Sequence, residues 1–169
     1  SELKENDSNV EIFATIVQVF DPKFFEVCPS CNKRTKPDES GSFICKDHGS
    51  IIPNYGVVLN IFADDGSDNM RVVLWRQQVE TLLGNKKDKL QSYRLDTSGF
   101  EEVKTDLLGM MAKFTGRISK NEMFNRLEFV ADRIETNIDP DSELKHLSES
   151  KNSKKLEVVE IEKTNEKIK

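Results

Sequence analysis

Cys28-Pro29-Ser30-Cys31 is followed, after thirteen intervening residues, by Cys45-Lys46-Asp47-His48. This C-x2-C-x13-C-x2-H pattern uses all three cysteines and one of the two histidines. Each half is a tight hook that brings two soft donors to one ion, and three thiolates with one imidazole suit a tetrahedral, structural zinc. The stretch from Lys33 to Ser42 is polar, contains Pro37 and Gly41, and cannot build a core of its own. Residues 24–52 therefore read as a module held together by metal, in which binding energy is folding energy. Pro29 stiffens the first hook, and Gly49 lets the chain leave the second with φ of either sign. Four protein ligands leave no open position, which argues against a catalytic zinc. With the cysteines committed to metal, no disulfide is expected and a reducing, intracellular setting fits.

A chain of 169 residues accommodates one domain with an inserted module and a tail. No apolar run approaches the length of a membrane span, and no signal-peptide pattern opens the chain. Ser1, where a natural start would carry methionine, suggests a piece of a longer protein. The whole chain carries 25 basic and 30 acidic residues, for a net charge of −5. Residues 10–136 hold 17 Lys/Arg and 19 Asp/Glu, or −2. Such a balance excludes binding to nucleic acid through bulk electrostatics alone. Any basic groove is local, and residues 113–133, at +2, are the best stretch for one.

Residues 1–8 read as a frayed lead-in. Val10 to Phe20 alternates with period two and predicts a strand, ended by Asp21-Pro22. After the metal module, Tyr55 to Ala63 is a second strand, Asp64-Asp65-Gly66-Ser67 a turn, and Met70 to Arg76 a third strand. Gln78 to Leu83 predicts a short helix closed by Gly84. Residues 85–99 read as irregular, and Phe100 to Leu108 as a second helix. Met111 to Ser119 and Leu127 to Ile134 are the fourth and fifth strands, joined by a polar connection carrying Met123 and Phe124. Asp139-Pro140 predicts a helix start, with a helix to Ser150. Residues 151–169 read as a tether or a partner-dependent segment. The order of elements predicts a mainly β fold: a five-stranded OB-fold barrel, residues 9–136, with a zinc-ribbon insert between strands one and two and a C-terminal helix and tail at 137–169.

Two further segments carry a family likeness. Asp65-Gly66 followed by Met70-Arg71-Val72-Val73-Leu74-Trp75-Arg76-Gln77-Gln78-Val79-Glu80-Thr81-Leu82-Leu83-Gly84 resembles the third strand and following helix of replication protein A OB-folds. Gly116-Arg117-Ile118-Ser119-Lys120-Asn121-Glu122-Met123-Phe124-Asn125-Arg126-Leu127-Glu128-Phe129 resembles their fourth and fifth strands. The ribbon between the first two strands is similar to the zinc-bearing DNA-binding domain of the large subunit. A histidine as fourth ligand resembles the archaeal members, since the eukaryotic ribbon has four cysteines. The resemblance covers residues 9–136. It implies single-stranded DNA binding without catalysis, in replication, repair and recombination, by an intracellular, nucleoid-associated protein. It also implies that other replication protein A-like subunits or tandem OB domains are partners, with linked sites adding avidity.

Bases stack on aromatic platforms and phosphates meet Lys and Arg. The resemblance puts Trp75 at the stacking position that ends the third strand. Strand alternation sets Met70, Val72 and Leu74 on one face and Arg71, Val73 and Trp75 on the other. The aliphatic set makes the better core, which leaves Trp75 facing outward; the alternative is a buried core tryptophan. Phe124 falls at the family's second stacking position, or else caps the core. Phe62 reads as either sheet surface or core, and Phe129 as core on the strength of sharing a face with Leu127. Arg71, Arg76, Lys113, Arg117, Lys120 and Arg126 are the phosphate candidates, with Lys33, Arg34 and Lys36 on the ribbon.

Rival functions are an assembly module of a replication protein A-like complex, working through the helix after Asp139, and an RNA-binding zinc-ribbon OB module. Enzymatic readings find no support. A zinc deaminase needs H-x-E and P-C-x-x-C, whereas here the order is Cys-Pro-Ser-Cys and neither histidine is followed by x-Glu. Glycine-rich phosphate loops and nucleophile elbows are also missing.

Overall fold

The computed structural model describes residues 3–136 and residue 138. The predicted helix from Asp139 and the tail at 151–169 lie outside the described residues. Five long strands form a hydrogen-bonded ring: β1 (Val10–Val19), β6 (Asn54–Asp64), β7 (Asn69–Trp75), β8 (Met111–Asn121) and β9 (Arg126–Glu135). Going round, β1 pairs with β6, β6 with β7, β7 with β9, β9 with β8, and β8 with β1. Every pairing is antiparallel except β7–β9, which is parallel and short, with Val72 opposite Phe129 and Val73 opposite Val130.

β1 closes the ring because it serves two neighbours. Its first half, Val10 to Thr15, pairs with β8, and its second half, Thr15 to Val19, pairs with β6. The register to β6 shifts between Ile16 and Gln18, so Val17 bulges out and is exposed. A bulge raises the local twist, which lets one strand leave one partner and reach another.

Alternation then sorts the residues. Leu59, Ile61, Val72, Leu74, Phe114, Ile118 and Phe129 fill the interior, together with Ile16. The ring's open side is plugged by helices. α1 (Arg76–Leu83) buries Val79, Leu82 and Leu83; α2 (Leu90–Leu95) buries Leu90 and Tyr93; α3 (Phe100–Leu107) buries Phe100, Val103 and Leu107. Gly84, at φ 53°, ends α1, and its N–H reaches the carbonyls of Glu80 and Thr81.

Several expectations needed correction. Residues 85–99 are helical, not irregular: a 3-10 turn at Gly84–Lys89, then α2, then a second 3-10 turn at Thr97–Gly99 capped by Asp96. Leu90 and Tyr93 join the core from within a charged segment, which hid the helical period. The metal module is also smaller than residues 24–52. Lys23–Val27 is a strand, β2, that pairs along β6 and extends the main sheet. Only β3 (Lys36–Pro37), β4 (Phe43–Cys45) and β5 (Gly49–Ile51) form the separate small sheet. Phe129 is core as expected, but the stated reason fails, because Leu127 is exposed. The lead-in is also tied down: Ile118 accepts from the Asn6 N–H and donates to the Asp7 carbonyl.

Gly116 sits at the register shift in β8, opposite Ala131. A Cβ there would lie 2.1 Å from the Val130 carbonyl oxygen and 2.8 Å from the Phe129 ring. Neither backbone nor a fully buried ring can yield cheaply. Gly116→Ala is therefore expected to destabilise the fold by about 3 kcal/mol, the upper end of overpacking costs, as read by urea unfolding; a loss under about 1 kcal/mol would show that the two strands can separate there.

Candidate metal centre and nucleic-acid interface

The two hooks are built alike. After Cys31 comes Asn32 at φ 56°, and after His48 comes Gly49 at φ 71°. This left-handed residue turns the chain back once both donors of a hook have been presented. In the first hook, the Cys28 N–H donates to the Lys33 carbonyl at 2.9 Å and the Asn32 N–H to the Cys28 carbonyl at 2.8 Å. Lys33 and Asp47 bridge the hooks at 2.6 Å.

The four donor atoms lie within 4.8 Å of one another, close enough to bind one metal ion. His48 turns Nδ1 toward the sulfurs, 3.5 Å from Cys28 Sγ and 3.6 Å from Cys45 Sγ; Cys31 Sγ and Cys45 Sγ are 3.6 Å apart. Two of the three thiols are prepared to ionise; at Cys31 the Lys33 N–H pulls down, but burial and the Cys45 and Cys28 thiols outweigh it and hold that thiol above its usual range. The His48 ring, then the Asp47 N–H, bring the Cys45 pKa down to about 6. At Cys28 burial works upward, yet the N–H groups of Cys31 and Ser30 outweigh it and hold the thiol below its usual range. Thiolate is the ligating form.

A second constellation lies on the outer face of β6, β7 and β9. Trp75 is 46% exposed at the end of β7, which rules out the buried-core alternative. Phe25 on β2 meets the indole edge-on, with centroids 6.1 Å apart. Phe25 can lie there because Gly56 is opposite it; a Cβ at Gly56 would stand 2.6 Å from the ring. Arg34 of the ribbon caps Phe25 at 5.5 Å, so the module that carries the four donors shares one cluster with Trp75.

Further along the face, Arg71 is mostly covered. Its Nε is 3.2 Å from Asn60 Oδ1 and 3.5 Å from Glu128 Oε1, and its guanidinium lies 4.8 Å over Phe20. Burial, then the nearby Arg126, lowers its pKa. Phe20 in turn meets Phe62 at 5.9 Å. Phe124, 60% exposed in the turn between β8 and β9, does not cap the core; the Arg126 guanidinium lies 4.7 Å over its ring.

The remaining candidate cations are dispersed. Arg117 pairs with Asp132 at 2.9 Å on the same side of the sheet, and Lys120 lies 3.6 Å from Glu122 beside the turn. Arg76 turns toward the helices, donating to the Tyr55 carbonyl and pairing with Glu80, where it lines a cleft with Phe24 and Leu90. Lys113 stands near the start of β8, opposite Phe13 and Glu135, and pairs with Glu11. Sequence reasoning passed over Phe20, Phe25, Asn60 and Glu128. The Lys-Phe-Phe-Glu-Val run before Cys28 carried the signal for Phe25, since a strand there puts one ring on each face.

The family model for the replication factor-A C-terminal domain matches residues 10–152. The chain belongs to that family. Its ring has OB-fold-like strand order, with the third and fifth long strands parallel. Among solved structures, this replication factor-A domain is similar to a chain of a replication protein A heterotrimer bound to single-stranded DNA. The identity is 20% and the TM-score 0.67 over 87% of this chain, which spans only 36% of that one. It is also similar to a chain of yeast RPA bound to single-stranded DNA, at 18% identity and a TM-score of 0.65, with 90% of each chain covered. At these identities the likeness is one of fold. The comparison with curated proteins returned no match.

Trp75 is the only tryptophan, so its fluorescence reports this cluster alone. Gly56→Ala is expected to push Phe25 off the strand and shift Trp75 emission while the far-UV circular dichroism stays that of the parent. Unchanged emission would mean that Phe25 does not set the indole's surroundings.

Proposed function

We propose that this replication factor-A domain binds single-stranded DNA across the outer face of β6, β7 and β9, without catalysis, in DNA replication and by the same chemistry in repair and recombination. The observation that carries the reading is the pair of exposed rings, Trp75 and Phe124, on one continuous face that also holds Arg71 and Arg126. In OB-folds this face, with the loop after the first strand and the loop between the fourth and fifth, is the usual oligonucleotide site. Trp75 and Phe124 stack on bases, each worth about 1–3 kcal/mol and nearly blind to sequence. Arg71, Arg117, Lys120 and Arg126 supply phosphate contacts nearby; Arg76 and Lys113 act at the margins, where the bound strand leaves the face. Similarity to a chain of a heterotrimer bound to single-stranded DNA supports both the ligand and a place among partner subunits or tandem domains.

Cys28, Cys31, Cys45 and His48 hold one structural zinc in this reading. A tetrahedral zinc with Zn–S of about 2.3 Å and Zn–N of about 2.0–2.1 Å sets S···S edges of about 3.8 Å and S···N edges of about 3.5 Å. The observed separations, 3.6 Å for the sulfur pair and 3.5 and 3.6 Å for sulfur to Nδ1, fit it. The metal supplies cross-linking and no reaction chemistry. It fixes the module that carries Arg34, and through Phe25 it steadies the Trp75 platform.

Two experiments test these claims. Fluorescence anisotropy titrations with single-stranded DNA, duplex DNA and RNA of one sequence, at two salt concentrations, are expected to favour single-stranded DNA. Trp75→Ala should weaken it at least about fivefold, near the low end of the stacking range, with the fold intact. Equal affinity for single strand and duplex would overturn stacking, and preference for RNA would move the ligand class. Metal analysis is expected to find one zinc per chain, and chelation should unfold the ribbon while the five-stranded ring persists by circular dichroism. A chain without metal that binds normally would overturn the zinc assignment.

A further inference from the structure

Glu128 is a charged residue that is only 8% exposed, on the face proposed to meet an anionic ligand. Bulk electrostatics would place no carboxylate there. Both of its oxygens are engaged in organising that face. Oε1 takes Arg126 Nε at 2.9 Å and Arg71 Nε at 3.5 Å; Oε2 accepts from Asn121 Nδ2 at 3.1 Å. Both routes lead on to Phe124. Asn121 uses its backbone oxygen and its Oδ1 to accept the Phe124 N–H, at 3.2 and 3.4 Å. Arg126, steered by the same carboxylate, lays its guanidinium over the Phe124 ring at 4.7 Å. Arg71 anchors the arrangement in β7, where Asn60 and Phe20 hold it from the other side.

The turn needs such an anchor. It spans Glu122 to Asn125 between β8 and β9, with Asn125 at φ 46°, and Met123 and Phe124 both point into solvent. An exposed ring on a free turn would pay its ordering cost when a ligand arrives; a ring already held in place would not.

We infer that Glu128 is a positioning residue that presents Phe124 to the ligand, acting through Asn121 and Arg126, and that its negative charge favours binding of an anionic strand. This rests on the single-stranded DNA reading above. The Glu128→Gln change keeps the size but turns one acceptor oxygen into an NH2 donor and removes the charge that holds the two arginines. Simple charge counting expects tighter binding, because a carboxylate leaves the phosphate-facing surface. The positioning role expects the opposite.

The test compares the parent, Glu128→Gln, Phe124→Ala and the Glu128→Gln/Phe124→Ala double variant in anisotropy titrations with an oligothymidine. Thermal unfolding and zinc content are followed in parallel. Glu128→Gln is expected to bind about five- to tenfold more weakly, part of what one stacked base contributes, with zinc retained. In the Phe124→Ala background the same change is expected to cost little more, since its effect runs through that ring. Glu128→Asp should not restore parental binding, because a shorter carboxylate cannot reach Asn121 and Arg126 together. Equal or tighter binding by Glu128→Gln, or full additivity in the double variant, overturns the inference while leaving the DNA reading intact. If the parent itself fails to bind the oligonucleotide, the DNA reading is what fails. If Glu128→Gln unfolds, backbone amide exchange in the parent decides: slow exchange at the Phe124 N–H supports a fixed turn, and exchange at the rate of an open loop overturns it.

Discussion

The division of β1 between two partners is the constraint on which the rest of this structure depends. With β8 on its first half and β6 on its second, β1 leaves the ring no free edge, and the bulge at Val17 makes the change of partner possible. Closure gives every long strand an inside and an outside. The inside is filled by Ile16, Leu59, Ile61, Val72, Leu74, Phe114, Ile118 and Phe129, and the outside of β6, β7 and β9 is left for function. The hand of each functional side chain follows. Once Val72 and Leu74 must face in, Arg71 and Trp75 have no choice but to face out.

The same logic explains how the small module is tied to that face. Polar residues 33–42 cannot pack, so the module relies on its four donors and on its seam with the main sheet. The seam is β2, whose Phe24 packs toward the core while Phe25 lies over Gly56 on the outside. A glycine in the middle of a strand ordinarily weakens it. Here the missing side chain gives an aromatic ring room beside Trp75, and Arg34 closes the cluster from the ribbon. The donor-bearing ribbon and the exposed tryptophan thus form one mechanical chain, running from Arg34 through Phe25 to Trp75.

Much of this was legible in the sequence, and the failures have physical causes. Ligand spacing is local and is fixed by backbone geometry, so the convergence of Cys28, Cys31, Cys45 and His48 followed from their intervals. The outward face of Trp75 followed from alternation within one strand. What stayed hidden depended on tertiary neighbours. The Lys-Phe-Phe-Glu-Val strand is only five residues long and mixes charged and apolar residues on both faces, so no period marked it, and the ring beside Trp75 was missed with it. The helical character of 85–99 was masked by charges, since only Leu90 and Tyr93 of its α2 turn inward. Glu128 looked like one more surface carboxylate. Its burial comes from Arg71, fifty-seven positions earlier in the chain, and from the turn folding back over it. Phe129 came out right for a wrong reason: Leu127 shares its side of the strand but lies beyond the edge of the core, where burial ends although alternation continues.

The charge pattern decides what kind of binding surface this can be. Each of the six cations expected to meet phosphate already has a carboxylate partner: Arg71 and Arg126 share Glu128, Arg117 has Asp132, Lys120 has Glu122, Arg76 has Glu80 and Lys113 has Glu11. The pairs with exposed carboxylates, all but those of Glu128, hold together by no more than about 1 kcal/mol, so a phosphate can compete for the cation. The displaced carboxylate stays a few ångströms away, however, and repels the incoming strand. Net attraction per cation is therefore smaller than for a free lysine, and fewer counterions are released per contact than the usual ~0.7 for single strands. A surface arranged like this cannot hold nucleic acid by charge. In the proposed function it depends on unpaired bases, whose faces the two exposed rings cover, and on those rings being held in place beforehand. A duplex hides its base faces, so under the proposed function the same charge economy that limits total affinity also favours a single strand.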